Sequence, residues 1–198
     1  FICVTYWIFG LNNDLSIVII QCVMVGLIAV VSSLAAYALR PRWMLLTGLL
    51  TALTPAIFYR ASIIMPGVQF TLFVTCGIAA VLWALRGRHT ITFLILAGVS
   101  FGLALLTRPN MLFLPFLSTP VLALGLRYQI QDSWFRAIGK AILPVIIMFS
   151  LASPWLIRNY KLTGHLMYTT QTGEHALSFM YPCLANRWGC GEINDDAL

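Results

Sequence analysis

Apolar residues come in long uniform blocks separated by short joints that carry charge, proline or glycine. Six blocks stand out: Ser16–Leu39, Trp43–Tyr59, Gly67–Leu85, Thr90–Thr107, Met111–Leu126 and Ala137–Leu156. Crossing a hydrocarbon core of about 30 Å takes about 20 helical residues, and the blocks are near that length, the fifth being short. A helix satisfies its own backbone hydrogen bonds in lipid, so each block predicts a transmembrane helix. Barrel strands would alternate over about 10 residues, and these blocks do not alternate. Pro55, Pro115, Pro120 and Pro144 lie inside blocks, where each predicts a kink. Phe1–Gly10 is apolar and aromatic but too short to span, which predicts an interfacial helix or the end of a longer element.

The expected fold class is therefore all-α: a polytopic helical membrane protein of about six transmembrane helices with an outward-facing C-terminal segment. Residues 1–15 form an outer interfacial segment, 16–156 the six-span domain and 157–198 an extracytoplasmic segment. The chain starts at Phe1 without an initiator Met or a charged n-region, so no signal peptide is expected, and a fragment of a longer protein is the simpler expectation.

Composition agrees. Of 198 residues only 9% are charged and 60% are hydrophobic, whereas a soluble domain is about 25% charged. The net charge of +6 does not predict a nucleic-acid partner, because the basic residues are scattered at block ends and form no continuous face. Their placement instead predicts orientation. Arg40, Arg42, Arg86, Arg88, Arg127, Arg136 and Lys140 share one set of joints with Asp132 alone. The other set balances Arg60, Arg108, Arg158, Lys161 and Arg187 against Asp14, Glu174, Glu192, Asp195 and Asp196. By the positive-inside rule the joints at 40–42, 86–89 and 127–140 are cytoplasmic, and the segment from Ile157 onward faces outward.

Common catalytic signatures are absent: there is no glycine-rich phosphate loop, no His-Glu-x-x-His and no cysteine pair at zinc spacing, so no metal site is assigned. His89, His165 and His175 are isolated in sequence and read as surface or interfacial residues. Within the blocks the only charge is Lys140, near the start of the last, which argues against an intramembrane ion path. Arg60, Arg108 and Arg158 each fall where a block meets the outer interface. A guanidinium there suits a phosphate, because its planar fork holds two oxygens; it equally suits anchoring of a helix end. The same two readings apply to Pro154-Trp155-Leu156-Ile157-Arg158-Asn159-Tyr160. The segment Thr169-Thr170-Gln171-Thr172-Gly173-Glu174-His175 suits hydrogen bonding to a sugar, and also any exposed turn. Cys183 and Cys190 predict a disulfide if the tail faces an oxidising compartment. Cys3, Cys22 and Cys76 read as apolar residues.

Three places give the chain a family resemblance. Phe9-Gly10 is followed by Ser16 and by Gln21 in the first block. Gly98-Val99-Ser100-Phe101-Gly102-Leu103-Ala104-Leu105-Leu106-Thr107-Arg108-Pro109 is similar to a Gly-Leu-Ala-x-Leu-Thr-Arg-Pro stretch. Pro154–Tyr160, with Gly164 and the 169–173 turn behind it, is similar to a Pro-Trp-x-x-Arg-Asn-Tyr block. Together they resemble the membrane half of a GT-C glycosyltransferase, of the group that includes protein O-mannosyltransferases and the aminoarabinose transferase acting on lipid A.

The resemblance implies transfer of a sugar from a polyprenyl-phosphate donor to a glycan, lipid or protein acceptor, on the outer side of a bacterial cytoplasmic membrane. It implies a single inverting displacement, with Arg60, Arg108, Arg158 and Asn159 holding the lipid phosphate. Trp155, Thr170, Gly173, Glu174 and His175 would then contact sugar or acceptor. Two features depart from the pattern. The family's catalytic carboxylate belongs to a first external loop expected upstream of Phe1, and Asp14 comes too late to be it, so no catalytic residue is assigned. Where the family often has Glu-Pro, this chain reads Met65-Pro66, which leaves a divalent metal open as a question for the complete protein. Two alternatives use the same residues without chemistry: a transporter or flippase subunit for a lipid-linked saccharide, and a membrane scaffold.

Overall fold

A computed structural model describes residues 14–62, 67–87, 89–131 and 133–163. All regular structure among them is helical. In chain order these are α1 (Asp14–Leu39), a 3-10 turn (Pro41–Trp43), α2 (Met44–Ala52), α3 (Pro55–Ser62), α4 (Gly67–Leu85) and α5 (Thr90–Thr107). A second 3-10 segment (Pro109–Phe113), α6 (Leu114–Gln129) and α7 (Trp134–Thr163) follow. Five stretches are long and apolar enough to cross a bilayer: Leu15–Leu39, Gly67–Leu85, Thr90–Thr107, Met111–Gln129 and Trp134–Leu162. Large apolar side chains such as Ile19, Leu117 and Phe135 are exposed along these helices, as a lipid solvent permits.

The expected span Trp43–Tyr59 is not one helix. It divides into α2 and α3 around Leu53 and Thr54. Pro55 has no N–H to give to Thr51, and its ring would crowd that residue's carbonyl, so α2 cannot run through it. Threonine hydroxyls bond back to the preceding turn at this break: Thr51 Oγ1 donates to Thr47 O at 2.8 Å, and Thr54 Oγ1 donates to Leu50 O at 2.8 Å.

The chain separates into two compact units, Phe1–Ala152 and Ser153–Leu198. In the first, α1 and α4 run parallel. Near the start of α4, Val68 packs with Val25 and Ile28 of α1. Near its end, Trp83 Nε1 donates to Leu34 O at 3.2 Å. The Arg86 guanidinium then donates from Nε to Ala38 O (2.9 Å) and from Nη2 to Tyr37 O (2.7 Å). These are among the carbonyls a helix leaves unsatisfied at its C-terminus, and a cation suits that end of the dipole. The same guanidinium lies 5.3 Å from the centroids of Tyr37 and Trp83, whose rings stack at 6.0 Å.

Because α1 and α4 point the same way, the chain between them must return to the starting level. α2 and α3 make that return. Gly48 of α2 lies so close to Ser33 and Ala29 of α1 that an added Cβ would meet the Ser33 hydroxyl. Ile57 of α3 packs on the cluster of Val25, Ile28 and Val68.

α4 and α5 form an antiparallel hairpin whose joint has left-handed backbone at Gly87 (φ 80°) and His89 (φ 56°). Gly77 accepts the ring of Phe101, which occupies the space a Cβ would take. On α5, Gly98 and Gly102 form a small-xxx-small pair that brings α7 in. A Cβ on Gly98 would lie 2.8 Å from Ile147 Cβ and 2.9 Å from Pro144 O; one on Gly102 would lie 2.8 Å from Leu151 Cδ1. Ala84, Leu94, Leu122, Leu126, Ala137 and Ala141 close a core between α4, α5, α6 and α7.

α7 is 30 residues long and passes through Pro144 and Pro154 without ending. The expected boundary at Leu156 is therefore not a helix end, since the apolar stretch runs from Trp134 to Leu162. Proline is tolerated inside membrane helices where neighbouring groups satisfy the freed carbonyl.

Two substitutions separate charge from geometry at Arg86. Arg86→Ala should lower the unfolding midpoint in detergent by the equivalent of about 1.5–3 kcal/mol, the range for hydrogen bonds to a charged group. Arg86→Lys keeps the charge but not the fork, and is expected to recover only part of that loss. Full recovery by lysine would mean that charge alone matters there. Gly102→Leu should destabilise by about 1–3 kcal/mol through overpacking against Leu151, measured in the same assay.

Candidate functional site

Arg108 owes its position to the residue after it. Proline disfavours helical backbone in the residue before it, and Arg108 is extended (φ −146°, ψ 125°). α5 stops there, sealed by Arg108 N–H to Ala104 O (2.9 Å) and Thr107 Oγ1 to the same carbonyl (2.7 Å). Thr-Arg-Pro is thus a helix stop that turns an arginine out of the helical line.

The side chain lands at the start of α4. Arg108 Nη2 is 3.6 Å from where a Cβ on Gly67 would be. Its guanidinium carbon is 5.6 Å from the centroid of Phe70. Gly67, Val68 and Gln69 are buried, and Arg108 is half-buried. The first N–H groups of a helix have no partner within it and carry the positive end of its dipole. A guanidinium beside them makes an electropositive corner, and glycine at the first position leaves the backbone approachable. The arrangement suits an anion.

The second cationic feature belongs to the unit that begins at Ser153. Pro154, Ile157, Arg158, Lys161 and Leu162 lie along one face of α7 and line a shallow depression. The Arg158 guanidinium carbon is 5.1 Å from the Trp155 ring centroid, and both residues are exposed. Asn159 is half-buried in the same turn. Two cations three residues apart on one face can meet two oxygens of one phosphate.

Of the residues expected at the site, Arg108, Trp155, Arg158 and Asn159 are described. Arg60 belongs to α3, but its side chain lies outside the described ones. Thr170, Gly173, Glu174, His175, Cys183 and Cys190 lie outside the described residues. Among the described residues no group of three or more His, Cys, Asp or Glu is placed to hold a metal. Gly67 and Lys161 were not expected as partners. Lys161 had a signal, its spacing of three from Arg158; Gly67 had none, because its meeting with Arg108 is a tertiary contact across 41 residues.

No family model matches the chain, and it matches no curated protein and no solved structure.

If Pro109 sets the position of Arg108, Pro109→Ala should let α5 continue. The expected readout is added protection from amide exchange at residues 108–110 in the full protein. Unchanged exchange would place the cause of the helix stop elsewhere.

Proposed function

We propose that this chain is part of a membrane glycosyltransferase of the GT-C kind that draws its sugar from a polyprenyl-phosphate donor. The observation that supports the reading best is Arg108 beside the buried N-terminus of α4. A lipid phosphate carries negative charge at the level where a helix meets the membrane surface, and this corner is electropositive there. The face of Pro154, Arg158 and Lys161 provides a second anion-binding element. Charge placement in the sequence assigns both to the outer side.

In the proposed reaction an acceptor oxygen attacks the anomeric carbon from the face opposite the phosphate. The new C–O bond forms as the sugar–phosphate bond breaks, and the bonding electron pair leaves with the polyprenyl phosphate. The acceptor's proton passes to a carboxylate from the upstream loop that the family pattern places there. Arg108 stabilises the charge that develops on the departing phosphate, a role the family pattern extends to Arg60. Arg158 and Lys161, with Asn159, form the second element suited to a phosphate. Trp155 offers an apolar surface for a sugar ring, and the family pattern assigns contact with the sugar or acceptor to Thr170, Gly173, Glu174 and His175.

The test uses the full-length protein in membranes with a polyprenyl-phosphate sugar. Arg158→Ala should abolish transfer while leaving membrane insertion intact, and normal activity would return Arg158 to helix anchoring. Arg108→Gln should lower the transfer rate on the order of 100-fold, the usual cost of one lost donor to a developing anion. Donor binding by the wild type without any transfer would instead identify a carrier for a lipid-linked saccharide.

A further inference from the structure

A groove in the first unit is unaccounted for by any phosphate site. It lies between α4, α6 and α7 with Phe101 of α5 behind it, encloses about 340 Å³, and is lined almost wholly by apolar side chains. Leu82, Leu85, Val121, Leu122, Ala141 and Val145 form much of its wall. One side is open. In a membrane that side faces hydrocarbon, so a lipid chain fills it or it stays a void that costs packing contacts.

Apolar filling alone would select no particular lipid, because chains in the bilayer are as apolar as the groove. Selection has to come from the groove's end. On α4 the lining residues run from Ile78 to Leu85, the half next to Arg86, and on α7 from Ala141 to Met148, the half next to Trp134. On α6 they run from Leu114 to Leu122, the half next to Pro109–Phe113, so the groove runs from near the basic joints toward the opposite joint. Lys140, half-buried, directly precedes Ala141. Trp134 is two helical turns before Ala141, on the same stripe, and the Arg127 guanidinium carbon lies 6.0 Å from its ring centroid. Arg127 is five residues beyond Leu122, about 8 Å along α6. The opposite end of the groove meets the 3-10 segment Pro109–Phe113, and the nearby Arg108 is turned toward Gly67 and Phe70.

We propose that this groove holds an acyl chain of an anionic phospholipid whose headgroup phosphate is bound by Arg127 and Lys140. Charge complementarity identifies the occupant: an indole at interfacial depth and two cations suit a negative headgroup, and anionic lipids are concentrated in the cytoplasmic leaflet. The groove spans about 10 Å along α7, less than the roughly 15 Å depth of one leaflet, so it takes part of a single chain. The lipid would wedge α6 and α7 against α4 at the level of Phe101. The inference does not rest on sugar transfer.

Native mass spectrometry of the full-length protein tests it, using dioleoyl phosphatidylglycerol and dioleoyl phosphatidylcholine at equal concentration. The wild type should retain phosphatidylglycerol severalfold over phosphatidylcholine. Arg127→Gln with Lys140→Gln should abolish the preference, while Arg127→Lys with Lys140→Arg should restore it, which shows that the protein remains folded. Val145→Trp, which fills the groove, should lower retention with both cations in place. Equal retention of the two lipids by the wild type would overturn the proposal. So would a preference that survives the double glutamine variant, or retention unaffected by the tryptophan.

Discussion

The fold depends on one guanidinium. Arg86 donates to two carbonyls at the C-terminus of α1 while lying against Tyr37 and Trp83, and so ties the ends of α1 and α4 together. Two parallel helices joined at their ends oblige the chain to travel back between them. That requirement explains why α2 and α3 lie where they do, and why a proline break in that segment is compatible with the fold. It also puts the Arg86 joint at one end of the α4–α5 hairpin and the Arg108 joint at the other.

The small residues follow from the same economy of space. In lipid there is little hydrophobic drive between helices, so close approach of backbones has to supply the attraction. Gly48 against Ser33, Gly77 against the Phe101 ring, and Gly98 with Gly102 against α7 each mark such an approach. The stretch 98–109 therefore does two things. Its glycines seat α7, and its Thr-Arg-Pro end stops the helix and turns Arg108 toward the first turn of α4.

Much of the architecture is legible in the sequence, because long apolar blocks in lipid leave few alternatives to helices. The ends of α4 and α5 agree with the expected Gly67–Leu85 and Thr90–Thr107 to the residue. In Trp43–Tyr59 the hydropathy is continuous and Pro55 predicts only a kink, whereas the backbone divides there into two helices. The end of α7 was placed too early for the opposite reason: Arg158 and Lys161 lower the hydropathy without ending the helix. At the candidate site, Arg108 and Arg158 could be picked out by residue type and position. The surroundings of Arg108 could not, since Gly67, Phe70 and the α4 dipole reach it only through packing. The role of Arg86 was also hidden, because in sequence it is one more cation at the end of a block.

The proposed chemistry, the lipid groove and the sidedness of both share one premise, that α2 and α3 together carry the chain from one membrane face to the other. Single cysteines at Trp43 and at Tyr59, both exposed, test that premise most directly. In the full-length protein with its other cysteines replaced, a membrane-impermeant maleimide should label position 43 only from the side of the basic joints. It should label position 59 only from the opposite side. Labelling of both positions from the same side would mean that the segment does not cross, and would contradict the account.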